Sequence, residues 1–319
     1  MGVWIGLEIN LLSFIPLITR KVNLNNSEAA LNYFLVQALA STVILFSIVI
    51  YIIIINTDFF LLNINNKELS NLIIIITLIL KLGGAPFHFW FPNVIENINW
   101  INNLILITWQ KLAPIIILSY LNLNKNIFIF VILSTLVGAI GGLNQISLRK
   151  LIAFSSINHI GWIILALIFN ENLWLIYFLL YTFLNCSIIY IFKIFQIFYL
   201  NQIYSLFINS YFIKFSLLTS LLSLGGLPPF LGFLPKWLII QSLLFIKLNF
   251  LTLFVILIRL ITLYYYLKIG FATFIFNYNE LNWNYINFFK NKIFINILRL
   301  NFISLFGFFL LINLTLILN

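Results

Sequence analysis

The chain has 319 residues, 63% of them hydrophobic and 8% charged, with a mean hydropathy of +1.12. A soluble domain carries roughly 25% charged residues, so a water-exposed globule of this length is excluded. So is a β-barrel, whose short strands would alternate polar and apolar residues, because long apolar runs such as 72–80 and 251–258 dominate. The net charge of +10 is not a nucleic-acid signal, since Lys and Arg are scattered between apolar runs rather than gathered on one solvated face. A single cysteine, Cys186, excludes intramolecular disulfides, iron–sulfur clusters and a cysteine zinc site. No metal is expected, and no cleavable leader, because the chain opens directly in a membrane-grade segment.

A transmembrane helix takes about 20 apolar residues. The apolar runs predict spans near 2–19, 29–55, 69–92, 103–122, 126–144, 149–170, 172–199, 212–248, 249–275 and 298–318. This is an all-α polytopic membrane protein of about ten transmembrane helices. The first span holds Glu8. The third carries Lys81 and is broken by Gly83, Gly84 and Pro86, with His88 just after. The fourth has Gln110-Lys111 near its middle, and the fifth ends on Gly141-Gly142, which suits close helix packing. The sixth contains Ser155-Ser156-Ile157-Asn158-His159, and the ninth Arg259. Trp100 and Trp174, near span ends, read as interface anchors.

The eighth segment is interrupted by Gly225, Gly226, Pro228 and Pro229, followed by Pro235-Lys236. Loop charges decide between one broken span and two. With one span, Arg20, Lys21, Arg149, Lys150, Lys193, Lys214, Lys268, Lys290, Lys292 and Arg299 fall on one side, against Lys67, Lys125 and Lys247 on the other. Ten against three is a clear bias, whereas splitting the segment leaves seven against six. One broken span is the better reading, and the Arg20-Lys21 loop then faces the positive compartment.

The break also repeats. Leu80–Pro86 echoes Leu222–Pro228 at a displacement of 142 residues, each Gly-Gly followed by Pro removing helical hydrogen bonds at membrane depth. Two interrupted helices in corresponding places, running in opposite directions, mark inverted repeats of a transporter. The expected domains are a first repeat at 1–122, a second inverted repeat at 126–275, and a loop with a C-terminal helix at 276–319.

Five ionisable residues lie inside the spans: Glu8, Lys81, Lys111, Lys236 and Arg259. Each costs roughly 2.5–3.5 kcal/mol at the centre of a lipid-facing helix, so each is expected to face the bundle interior or a wet cavity. Lys111 is too far from either span end to reach the headgroups. Buried lysines beside a carboxylate, bridged by water, make a proton relay. Arg259 stands between a structural partner and a lipid anchor. His88, His159 and Arg259 are possible relay or supporting groups. A bis-histidine haem is the competing reading, yet paired haems in membrane bundles use four histidines.

Several of these motifs are recognisable. Lys81–Pro92, Thr108–Pro114, Ser155–Trp162, Leu222–Trp237 and Trp4–Asn10 resemble the chain 2 family of NADH–ubiquinone oxidoreductases of animal mitochondria. The resemblance covers residues 4 to about 245. It implies two antiporter-like inverted repeats in the membrane arm of respiratory complex I, in the mitochondrial inner membrane, and proton pumping driven by distant NADH–quinone chemistry. It implies that Glu8 pairs with Lys81, that Lys111 continues the axis and that Lys236 is its terminal lysine. Partners would be other membrane-arm subunits, membrane lipids and protons, with no nucleic acid. No cofactor is expected on this chain; FMN, iron–sulfur clusters and ubiquinone would sit in other subunits.

Relatives carry a further apolar helix before the Trp-Ile-Gly-Leu-Glu segment, so the first repeat is expected to have four helices rather than five. Met occurs once, as the first residue, which suggests AUA codons written as Ile where animal mitochondria read Met. A stand-alone cation/proton antiporter subunit, or a purely structural membrane-arm subunit, are the alternatives.

Overall fold

A computed structural model describes residues 2–20, 23–56, 63–121, 127–206, 211–275, 299–305 and 307. Among them the regular structure is helical. The helices run α1 (Gly2–Thr19), α2 (Leu24–Asn56), α3 (Asn63–Leu82), α4 (Trp90–Asn97), α5 (Trp100–Ile107), α6 (Trp109–Ser119) and α7 (Ile127–Leu143). They continue as α8 (Leu148–Phe169), α9 (Glu171–Phe195), α10 (Leu200–Leu206), α11 (Tyr211–Gly225), α12 (Phe233–Phe245) and α13 (Asn249–Ile275). Among the described residues, six stretches are long and apolar enough to cross a membrane: α1, α2, α5 with α6, α8, α9 and α13. The span expected at 298–318 is described only at 299–305 and 307.

The described chain forms two units, Met1–Ser134 and Thr135–Asn319. In the first, α2 packs on α1, α3 and α4, and α3 packs on α6. In the second, α9 packs on α8, α11 and α12, while α13 packs on α10, α11 and α12.

Polarity runs opposite to that of a soluble protein. On α2, Leu31, Leu35 and Leu39 point outward, whereas Tyr33, Gln37 and Ser41, also four residues apart, are buried. Side chains at i and i+4 share a helix face, so this helix keeps its polar stripe inside and its leucines toward the surroundings. The same division on α13 exposes Leu253, Leu257 and Leu260 and buries Thr252, Thr262, Tyr265 and Tyr266. α8 is enclosed along most of its length and carries Ser155, Ser156, Asn158 and His159 into the interior of its unit. Such an arrangement suits a solvent of lipid chains, which satisfies no polar group.

Both expected breaks are present, and both are glycine-terminated helix ends of one kind. α3 closes with Gly84 N–H donating to the Ile79 carbonyl at 2.9 Å and Gly83 N–H to Leu80 at 3.1 Å. α11 closes with Leu227 N–H donating to Leu222 at 3.3 Å and Gly226 N–H to Ser223 at 3.1 Å. The turn residue has positive φ in each case, +76° at Gly83 and +80° at Gly226, where a Cβ would meet the following carbonyl. α11 has 15 residues, about 22 Å of helix, too short to cross alone.

The structure departs from the sequence reading in four places. The repeat register is 143 residues, not 142: Gly83 matches Gly226, and the helices after the breaks begin at Trp90 and Phe233. The paired glycines align as text, but only the one just past the last helical residue takes the left-handed turn. The span at 103–122 is itself interrupted at Thr108, between α5 and α6. There the Thr108 hydroxyl donates to the Leu104 carbonyl at 2.7 Å and the backbone turns to φ −107°, ψ −72°. Lys214, counted with the loop charges, lies in α11 and is buried. Trp100 and Trp174 are buried within their units rather than exposed as anchors, since each begins or nearly begins a helix packed against its neighbours.

Gly141 and Gly142 sit where a Cβ would overlap the Phe154 ring and press on Tyr265 respectively. Close packing is therefore their role.

Candidate functional site

In the first unit, Lys81 stands on the last turn of α3 and Lys111 on the first turn of α6. Both are enclosed, at 7% and 2% exposure, so neither reaches a headgroup region by stretching outward. They line one cavity of about 20 Å³, a volume open to the centre of a water molecule, together with Asn10, Tyr33, Gln37 and Gln110. A water needs roughly 10–15 Å³ of such space and two or more polar partners. The cavity thus has room for about one water between two lysines and four neutral polar side chains.

Each polar group there has a definite task. The Tyr33 hydroxyl donates to the Gln110 side-chain oxygen at 3.3 Å. The Gln37 amide donates to the Lys81 carbonyl at 3.2 Å, and the Trp90 indole to the Leu80 carbonyl at 3.2 Å. The carbonyls released at the end of α3 are satisfied in this way by neutral donors. The Lys111 ammonium lies over the Phe91 ring, 4.8 Å from its centroid. Glu8, half-buried on α1, is the charge that acts on Lys81. His88 lies in the loop after the break, half-buried beside Phe89, with Nδ1 3.2 Å from the Pro86 carbonyl, and is not brought to the cavity.

In the second unit, Lys236 is buried at 2% exposure on the first turn of α12. Its ammonium donates to the Leu224 and Gly225 carbonyls, at 2.8 and 3.1 Å, at the end of α11. The Arg259 guanidinium donates to the next carbonyl, that of Gly226, and stacks over Phe233 at 5.1 Å. A helix C-terminus carries about half a negative charge, and here two cations meet it. His159 on α8 bonds the Tyr177 hydroxyl at 2.8 Å, with the Tyr181 ring 4.9 Å away. Tyr177 in turn lies within electrostatic reach of Arg259.

The four residues isolated from the sequence therefore sit in two clusters, Glu8, Lys81 and Lys111 in one and Lys236 in the other. Sequence reasoning missed Tyr33 and Gln37, although a tyrosine and a glutamine four residues apart inside the apolar run 29–55 obey the same logic as the lysines. It also missed the pairing of Arg259 with the broken helix, for which no local signal exists.

Residues 1–262 match the family described as NADH:quinone oxidoreductase/Mrp antiporter, transmembrane region. The NADH-ubiquinone oxidoreductase chain 2 of Anopheles gambiae is 49% identical over 96% of this chain and 89% of its own length. That of Aedes aegypti is 52% identical over the same shares. Among solved structures, a chain of respiratory complex I from Thermus thermophilus superposes with a TM-score of 0.80 at 25% identity, covering 95% of this chain and 72% of that one. A chain of the Mrp complex from a Dietzia species shares the fold, with a TM-score of 0.75 at 18% identity over 87% of this chain and 57% of its own. With buried lysines at two broken helices and these likenesses along nearly its whole length, the chain belongs to the NADH-ubiquinone oxidoreductase chain 2 family.

Proposed function

We propose that this chain is a proton-translocating membrane subunit of respiratory complex I, in the mitochondrial inner membrane. Other complex I subunits are its partners and carry the redox chemistry with FMN, iron–sulfur clusters and ubiquinone. The observation that carries the reading is the water-sized cavity shared by Lys81 and Lys111, with Glu8 acting on the first of them. A buried ammonium holds its proton only as firmly as its nearest charges and hydrogen bonds allow. A change at Glu8 is felt at Lys81, whose proton passes through the cavity water to Lys111. Tyr33 and Gln110 orient that water, and Gln37 fixes the end of α3 so that Lys81 keeps its place.

In the second unit Lys236 is the terminal lysine, with His159 and Tyr177 as supporting groups. Residues 1–122 and 126–275 act as two antiporter-like repeats, and 276–319 as a loop with a closing helix. Lipids contact the outward-facing leucines.

Lys81→Met and Lys236→Met in the assembled complex test the relay. Proton pumping and NADH–ubiquinone turnover are expected to fall, while NADH reduction of an artificial acceptor stays intact. Wild-type coupled turnover in both variants sinks the assignment. A sodium-dependent exchange independent of NADH would instead favour an antiporter.

A further inference from the structure

The two broken helices leave the same carbonyls to be satisfied and satisfy them differently. In register 143, Lys81 O of the first unit corresponds to Leu224 O of the second. The first accepts from the neutral Gln37 amide, the second from the Lys236 ammonium. A later helix also brings a cation to each break: Lys111 of α6 lies over Phe91, and Arg259 of α13 lies over Phe233, each ring near the start of the helix that follows the break. The two cations are not register equivalents, since Phe254 lies 143 residues beyond Lys111, but each stands over a ring at its own break. Lysine can release a proton there, whereas a guanidinium stays charged in proteins.

Lys236 and Arg259 flank one glycine. A Cβ on Gly226 would lie 3.0 Å from Lys236 Cδ and 3.3 Å from an Arg259 nitrogen. Beside Arg259, the buried titratable side chains on the helices packed against α12 are His159 on α8, Tyr177 and Tyr181 on α9, and Tyr265 and Tyr266 on α13, while Arg149, Lys150, Cys186, Tyr190, Lys193, Tyr264 and Lys268 are half-buried or exposed. Lys214 lies at the far end of α11, and Glu171, the acid among the second unit's described residues, is exposed at the start of α9. Among the described residues of this unit, no carboxylate is placed at the two cations. The half charge of the helix end is shared by both, and only the lysine can give up its proton.

We infer that Arg259 is a positioning residue for Lys236: a fixed charge that occupies the Gly226 carbonyl, confines the lysine to the two preceding carbonyls and acts on its proton. It does for Lys236 electrostatically, with opposite sign, what Glu8 does for Lys81. Arg259 carries no proton itself, so the second unit's path does not run through its side chain. The inference rests on the relay reading given above.

The test is Arg259→Gln and Arg259→Lys in the assembled complex, with coupled NADH–ubiquinone turnover recorded against pH and normalised to artificial-acceptor reduction. Two unit charges on adjacent carbonyls, at an effective dielectric near 20, interact enough to move a titration by on the order of one to two pH units. R259Q is expected to move the alkaline limb of the profile upward by about one to two units and to lower turnover at neutral pH several-fold. R259K, which keeps a charge at neutral pH, is expected to hold turnover near the wild-type level. A wild-type profile in R259Q overturns the inference, and so does R259K behaving like R259Q, since shape rather than charge would then matter. An impaired K236M beside an unaffected R259Q removes only the role of Arg259. A K236M without effect removes Lys236 from the relay and overturns the inference with it, and a K81M without effect as well removes the relay itself.

Discussion

Gly226→Ala puts the geometry of the second break under direct test. At φ +80° an alanine incurs roughly 1–2 kcal/mol from its Cβ against the following carbonyl. About 0.4–1 kcal/mol of that is offset by the stiffer unfolded chain. The new methyl would also stand 3.1 Å from the Gly232 carbonyl and 3.0 Å from Lys236 Cδ. The Gly232 carbonyl is backbone and itself tightly held, since a Cβ on Gly232 would overlap the Ser223 carbonyl. The lysine is left to move, by a few tenths of an ångström, off the carbonyls it now grips. The expected total is about 1–3 kcal/mol of local destabilisation, together with a misplaced ammonium. Misplacement by about 1 Å can cost a hundredfold in rate, so a several-fold fall in coupled turnover is expected. Native electrophoresis measures assembly, and the ratio of NADH–ubiquinone to artificial-acceptor activity measures coupling. Gly83→Ala has the same backbone cost but presses on the Phe91 ring at 3.0 Å, beneath Lys111. Full assembly and wild-type coupling in G226A would refute the argument that this turn positions Lys236.

Further outcomes follow from the hydrogen bonds. Tyr33→Phe deletes the hydroxyl that reaches Gln110 at 3.3 Å, worth about 1 kcal/mol, and should slow proton pumping several-fold in complexes that assemble normally. Unchanged pumping would mean that the cavity water needs no tyrosine. Tyr177→Phe removes the 2.8 Å bond to His159 and should lower the thermal stability of the assembled complex by the equivalent of about 1–3 kcal/mol as well as reduce pumping. An unaltered melting profile and pumping ratio would assign that bond no role.

The membrane class and the relay candidates were legible from the chain alone because both follow from cost. A charge in an apolar run is expensive wherever the run packs, so Glu8, Lys81, Lys111, Lys236 and Arg259 stand out in the sequence alone. Gly-Gly before Pro likewise ends a helix by local sterics, and both breaks fall where that rule puts them. The interruption at Thr108 was not legible, because it comes from a hydroxyl turned back on Leu104, a choice that threonines elsewhere in helices make without a break. Nor was the 143-residue register, since which glycine takes the left-handed turn depends on where the helix ends against its neighbours.

The sequence by itself determined which residues must be shielded from lipid. Only the tertiary structure decided what shields them: a glutamine amide at the end of α3, two cations at the end of α11, and a water-sized space between Lys81 and Lys111. The physical reason is that the desolvation cost belongs to each residue alone. The carbonyl, ring or amide that offsets it is supplied from 11 to 44 residues away in the chain.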